Sequence, residues 1–259
     1  MRENEDSQME NKLKKGIFIP SIFTAVNIGC GFLSILSAVN GRYSHAAWLI
    51  VLGWFMDSLD GRLARFLKTT STFGIEFDSI ADMTTFGVAP AVLLWIYYFR
   101  DLRNGWALCL IYVLAVAVRL AKYNVATMEE SSPYFEGLPS PAGAGVISIF
   151  VLIMEIYRAD TPKRSFKFLV ETAPFISHIL PFIILITAFL MLTKIRYPKG
   201  AGFKLTGLLP MRVFMIVVLW LVLLIIYPES IISLMVIAYV FSGLFELVKR
   251  SWKMRRIGE

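Results

Sequence analysis

Charge is scarce in this sequence. Only 17% of its 259 residues are Asp, Glu, Lys or Arg, while 57% are hydrophobic and 14% aromatic. A soluble domain of this length needs more polar surface, and the apolar runs are too long and too frequent for core helices. A soluble globular fold is therefore excluded in favour of one multi-spanning membrane domain. Cysteine is nearly absent: Cys30 and Cys109 lie inside apolar runs, so neither a disulfide framework nor a zinc site of closely spaced thiolates is available. No internal repeat, low-complexity stretch or linker marks a second domain. The first residues, MRENEDSQMENKLKKG, lack the apolar centre of a signal peptide and read as a cytosolic tail.

The apolar pattern predicts eight spans, at residues 17–39, 45–67, 76–99, 106–127, 141–157, 174–193, 213–227 and 230–248. With residues at span ends assigned to the adjoining connection, 19 of the 26 Lys and Arg residues belong to the N-terminal tail, the 2–3, 4–5 and 6–7 connections and the C-terminal tail, and 7 to the other connections. This asymmetry places both termini in the cytosol. The net charge of +7 is accounted for by these flanking residues, which form no continuous basic face, so nucleic acid is not a partner. Residues 158–171 mix basic and apolar side chains, a pattern that predicts a short interfacial helix. His45 and His178 sit near span ends on the side away from the cytosol, which removes both as candidate bases for the acidic stretch at residues 57–82.

That stretch reads Asp57-x-x-Asp60-Gly61-x-x-Ala64-Arg65, then eight residues, then Gly74-x-x-x-Asp78-x-x-x-Asp82. On a helix, positions 57, 60, 61, 64 and 65 form one stripe, and Asp78 and Asp82 share a face of the next helix. Both helices continue into apolar sequence, so four carboxylates sit at a membrane edge, where acids are functional-site candidates. Together they repel unless cations neutralise them. Oxygen-only ligands with no nearby His or Cys suit Mg²⁺ or Mn²⁺, and two such ions can clamp the attacking and leaving oxygens of a displacement at phosphorus. Gly61, Ala64 and Gly74 leave room for close approach of a ligand or backbone, Arg65 suits a phosphate oxygen, and Asp82 is the candidate general base. The competing reading pairs the acids with Arg62, Arg65 and Lys68 at a solvated interface, but four acids in register with Gly and Arg are poorly explained by it.

The whole motif matches the signature of the CDP-alcohol phosphotransferase family, which it resembles without departure. The resemblance implies an all-α integral membrane enzyme in which an alcohol attacks a CDP-linked group and CMP leaves. It also implies two divalent metals on Asp57, Asp60, Asp78 and Asp82, CDP-lipid contacts from Gly61, Ala64, Arg65 and Gly74, and a homodimer. The family core of six helices would cover residues 17–197. The tail 1–16 precedes it, and 198–248, with two further spans, and a basic cytosolic tail at 249–259 follow it.

Three further stretches resemble the phosphatidylserine synthase branch. They are Pro20-x3-Thr24-x2-Asn27-x3-Gly31, then Phe86-Gly87-Val88-Ala89-Pro90, then Arg119-x4-Asn124 leading into Gly137-Leu138-Pro139-Ser140-Pro141. Ser21, Thr85 and the pair Lys122-Tyr123 depart from that branch's pattern, each conservatively. The branch implies CDP-diacylglycerol and L-serine as substrates in a prokaryotic cell membrane, and the asymmetry of Lys and Arg puts the active site at the cytosolic face. A zwitterionic amino acid needs cations for its carboxylate and acceptors for its ammonium. Asn27, Arg119, Lys122, Asn124 and the turn Gly137, Leu138 and Pro139 are the candidate serine contacts. The rivals are the same chemistry on glycerol phosphate, inositol phosphate or choline, and a cation-coupled transporter whose acids carry ions.

Overall fold

The computed structural model describes residues 22–67, 72–127, 134–159, 165–198 and 211–257. They divide into two compact units, Met1–Glu129 and Glu130–Glu259.

In the first unit, helix α1 (Ile22–Val39) turns at residues 40–42 into α2 (Tyr43–Leu67). The Ser34 hydroxyl donates to Ala46 O at 2.9 Å, which fixes the start of α2 against α1. Ala46, Ala47 and Ile50 are buried on that face. Helix α3 runs on as Thr72–Asp82, Met83–Val88, Ala89–Leu94 and Trp95–Phe99, and α4 spans Gly105–Thr127.

Pro90 is expected to disturb α3, because it has no N–H and crowds the carbonyl four residues earlier. The helix answers with a wide π-type turn over Met83–Val88, in which Ala89 N–H reaches back to Thr84 O. The oxygen that Pro90 cannot serve, Phe86 O, accepts the Tyr112 hydroxyl of α4 at 2.8 Å. Tyr112 and Phe86 are both wholly buried, so no water can replace that donor. Tyr112→Phe is therefore expected to destabilise the fold by roughly 1–3 kcal/mol, the cost of a buried carbonyl left unpaired. Thermal unfolding in detergent measures it, and an unchanged midpoint would show that the π turn stands without Tyr112.

The second unit opens with a feature the apolar pattern does not reveal, a two-stranded antiparallel ribbon of β1 (Tyr134–Glu136) and β2 (Arg196–Pro198), paired Phe135 to Tyr197. Between them lie α5 (Ser140–Arg158), α6 (Lys167–Glu171) and α7 (Ala173–Leu192). Within the predicted interfacial stretch, α6 is the helix found. Gly137 takes φ +75°, and a Cβ there would stand 2.3 Å from Met191 O. Its N–H donates to Ile195 O at 2.8 Å, and Leu138 N–H donates to Leu190 O at 3.0 Å. The Gly137-Leu138-Pro139 turn is thus bolted to the end of α7. Helices α8 (Met211–Ile226) and α9 (Pro228–Ile257) follow. Helix α9 packs along α5, where Gly145 meets Val236, and Phe166 N–H donates to Ser230 Oγ at 2.8 Å.

The protein is an all-α membrane protein apart from this short ribbon. Among the described residues, five helices are long and apolar enough to cross a membrane: Ile22–Val39, Phe73–Phe99, Gly105–Val125, Ser140–Arg158 and Ala173–Leu192. The other three expected spans correspond to helices that fall short of that measure. Helix α2 carries Asp57, Asp60, Arg62 and Arg65 in its second half, α8 has 16 described residues, and α9 is apolar over Pro228–Gly243. Helix α9 also continues through Lys249–Arg256, residues expected to form a tail, because no Gly or Pro interrupts them before Gly258.

Candidate active site

Asp57 and Asp60 lie on α2, and Gly74, Asp78 and Asp82 lie on the opening segment of α3, as the spacing predicts. Tertiary packing then brings Asp57, Asp78 and Asp82 together, each offering a carboxylate oxygen within 4.8 Å of the others. Asp60 stands outside this group. It is 6% exposed and accepts the hydroxyl of Thr24 from α1.

Helix α1 supplies a second polar group. Asn27 is wholly buried, and its side-chain amide interacts with the carboxylate of Asp82. Asp82 Oδ1 is buried and lacks a hydrogen bond. Buried polar atoms are nearly always satisfied, so an Asp82 oxygen left short of hydrogen bonds, beside a carboxylate trio, marks a place where a ligand completes the bonding. From α4, the buried Arg119 acts electrostatically on both Asp57 and Asp82. One guanidinium does not balance three acids. At an effective dielectric of about 20, two like charges at this separation repel by roughly 3 kcal/mol. The donor set is all oxygen and the charge deficit is cationic, so the trio fits a hard divalent ion.

The helices reach this arrangement because small residues let them touch. A Cβ on Gly31 would stand 2.6 Å from Thr85 Oγ1 and 2.9 Å from Thr85 Cα. A Cβ on Gly53 would stand 2.5 Å from Thr85 Cγ2 and 2.9 Å from Asn27 Oδ1. Thr85, three residues beyond Asp82, seals the crossing by donating its hydroxyl to Asn27 O at 2.8 Å. So α1, α2 and α3 meet at Thr85, directly after the last acid.

The other expected residues separate. Gly61 is exposed, and a Cβ there would meet nothing within 4 Å, which leaves the open approach a substrate needs. Gly74 is half-buried. Ala64 and Arg65 belong to α2, but their side chains lie outside the described ones. Asn124 is engaged with Ser79, donating from Nδ2 to Ser79 Oγ at 2.9 Å, and so ties α4 to the acid-bearing turn of α3. Lys122 is exposed. Gly137, Leu138 and Pro139 are buried in the second unit, on the contacts given above.

Thr24, Gly53, Ser79 and Thr85 were not among the residues expected at the site. Each had a signal in the sequence: Thr24 lies in the first-span pattern with Asn27, Gly53 continues the stripe one turn before Asp57, Ser79 neighbours Asp78, and Thr85 precedes the Phe86–Pro90 stretch.

These features define a class: an α-helical membrane protein with a carboxylate group, apt for a divalent cation, where its second and third helices meet. The comparisons with known proteins narrow it. Residues 17–193 match the family model of the CDP-alcohol phosphatidyltransferases, and the chain belongs to that family. The CDP-diacylglycerol–serine O-phosphatidyltransferase of Helicobacter pylori strain 26695 is 36% identical over 89% of this chain and 92% of its own length. The enzymes of the same name from Methanocaldococcus jannaschii and Bacillus subtilis are 34% and 38% identical, over 72% and 48% of this chain and 77% and 70% of their own.

Proposed function

We propose that this protein is a membrane transferase that moves the phosphatidyl group of CDP-diacylglycerol onto the hydroxyl of L-serine, releasing CMP. The observation that carries the reading is the Asp57–Asp78–Asp82 group, with a buried Asp82 oxygen that lacks a hydrogen bond and the Asn27 amide beside it. The match of the chain to three enzymes named for that reaction supports the choice of alcohol.

Asp57, Asp60, Asp78 and Asp82 would hold Mg²⁺ or Mn²⁺. When bound, such ions neutralise the charge that grows on the departing phosphate. Asp82 removes the proton from the serine hydroxyl as its oxygen bonds to the lipid-linked phosphorus, and the bond from that phosphorus to the oxygen of CMP breaks. Gly61, Ala64, Arg65 and Gly74 line the approach of the CDP-lipid. Asn27 and Arg119, buried near Asp82, are assigned to serine, whose ammonium needs an acceptor and whose carboxylate needs donors. Lys122, exposed, and Asn124, held by Ser79, are secondary candidates. The asymmetry of Lys and Arg supports a cytosolic active site and cytosolic termini. The family resemblance supports a homodimer, which the mass of the purified protein in detergent would measure.

The test is CMP release by purified protein supplied with CDP-diacylglycerol and Mn²⁺ or Mg²⁺, with serine, glycerol phosphate, inositol phosphate or choline offered in turn. Release that requires serine is the expected result. Release with another alcohol alone would keep the carboxylate site and discard the serine assignment.

A further inference from the structure

The four acids of the signature do not form one group. Three converge, while the fourth, Asp60, is held from another helix by Thr24. Thr24 is 3% exposed and Asp60 6%, so this bond is shielded from water and joins α1 to α2 one turn from Asn27. A carboxylate has two oxygens, and the Thr24 hydroxyl occupies Oδ2. That bond takes one lone pair of Oδ2 and leaves Oδ1 the less encumbered oxygen for a ligand. A hydroxyl in this place fixes both the rotamer of the acid and the oxygen it presents.

We propose that Thr24 is a positioning residue for Asp60, and that it divides the acids into a preformed three-carboxylate position and a separate, weaker one that depends on Asp60. The inference rests on the reading of the acids as a divalent-cation site. It goes beyond that reading in making the two positions unequal and in giving control of the weaker one to a residue outside the acidic helices. A purely structural Thr24 would lower stability when replaced and affect both positions alike. A positioning Thr24 affects one.

The experiment is a titration of purified full-length protein in detergent with Mn²⁺ alone, followed by the paramagnetic signal of the free ion, so that no turnover is needed. The parent protein is expected to show a tight and a weaker class of bound Mn²⁺, and Asp60→Asn to lose the weaker one. Thr24→Val is expected to weaken only that class, by about 10- to 100-fold, as loss of a hydrogen bond to a ligating carboxylate generally does. Thr24→Ser, which keeps the hydroxyl, is expected to restore it. A single class in the parent, equal weakening of both classes in Thr24→Val, or failure of serine to rescue would overturn the proposal. Two classes with the expected responses but no serine-dependent CMP release would leave Thr24 in this role and reject the assigned reaction.

Discussion

Asp82→Asn is expected to lower serine-dependent CMP release by about 10²- to 10⁴-fold, the range that a positioned general base contributes. The substitution is nearly isosteric, so the packing around the half-buried Asp82 is kept while its capacity to accept a proton and its charge are lost. The same charge makes a second, opposite prediction. Three carboxylates within 4.8 Å of one another strain the metal-free protein, and Arg119 offsets only part of that repulsion. In the presence of a chelator, Asp82→Asn is therefore expected to unfold at a higher temperature than the parent. Added Mn²⁺ should stabilise the parent strongly and the variant weakly, because a ligand raises stability only through its affinity for the folded state. Asp57→Asn and Asp78→Asn should follow the same pattern. Retained activity in all three, or equal stabilisation of parent and variants by Mn²⁺, would reject the trio as the metal and base site.

The carboxylate trio was half legible in the sequence. The acid spacings are helical, and their apolar surroundings announced that the charge was there for a reason. What the stripe concealed is angular. Residues at i and i+4 on a helix are offset by about 40°, but those at i and i+3 by about 60° to the other side. Asp78 and Asp82 can therefore share one target with Asp57, whereas Asp60 is swung towards α1 and finds Thr24. No periodicity within α2 reveals which partner waits there. The same limit applies to Arg119, Asn27 and Asn124. Each was named from its residue type and its place in a pattern, but burial beside the acids distinguishes the first two, and Ser79 claims the third.

Elsewhere the sequence reading failed where local pattern was thin. Strands of three residues carry too little alternation to be seen, so the ribbon of Tyr134–Glu136 and Arg196–Pro198 passed as connection. The Gly137-Leu138-Pro139 turn was named as a candidate serine contact, and what no local pattern revealed is that its backbone binds the end of α7. The five helices that meet the spanning measure were visible as apolar runs, as were α2, α8 and α9. That α2 would fall short of the measure was not visible, since the charge within it decides that.

Gly31→Ala is expected to do nearly as much harm as loss of an acid, although Gly31 has no chemistry. Its added methyl would lie 2.6 Å from Thr85 Oγ1, 2.9 Å from Thr85 Cα and 3.1 Å from Thr85 N. A flexible side chain could yield, but two of these atoms are backbone, so α3 itself must move away from α1. Thr85 also holds Asn27 O through its hydroxyl, and it follows Asp82 by three residues on the same continuous helix. The displacement is therefore delivered to the catalytic acid and to Asn27 together. Overpacking of this kind costs about 1–3 kcal/mol of stability. A misplacement of about 1 Å at reacting groups costs about a hundredfold in rate. Gly29→Ala is the matched control, two residues away on α1 with nothing within 4 Å of its added methyl. There the only change is a better helix former, expected to stabilise by about 0.5–1 kcal/mol and to leave CMP release unchanged. Equal activity in the two variants would mean that α1 and α3 can separate without disturbing Asp82, and the crossing at Thr85 would then be packing alone.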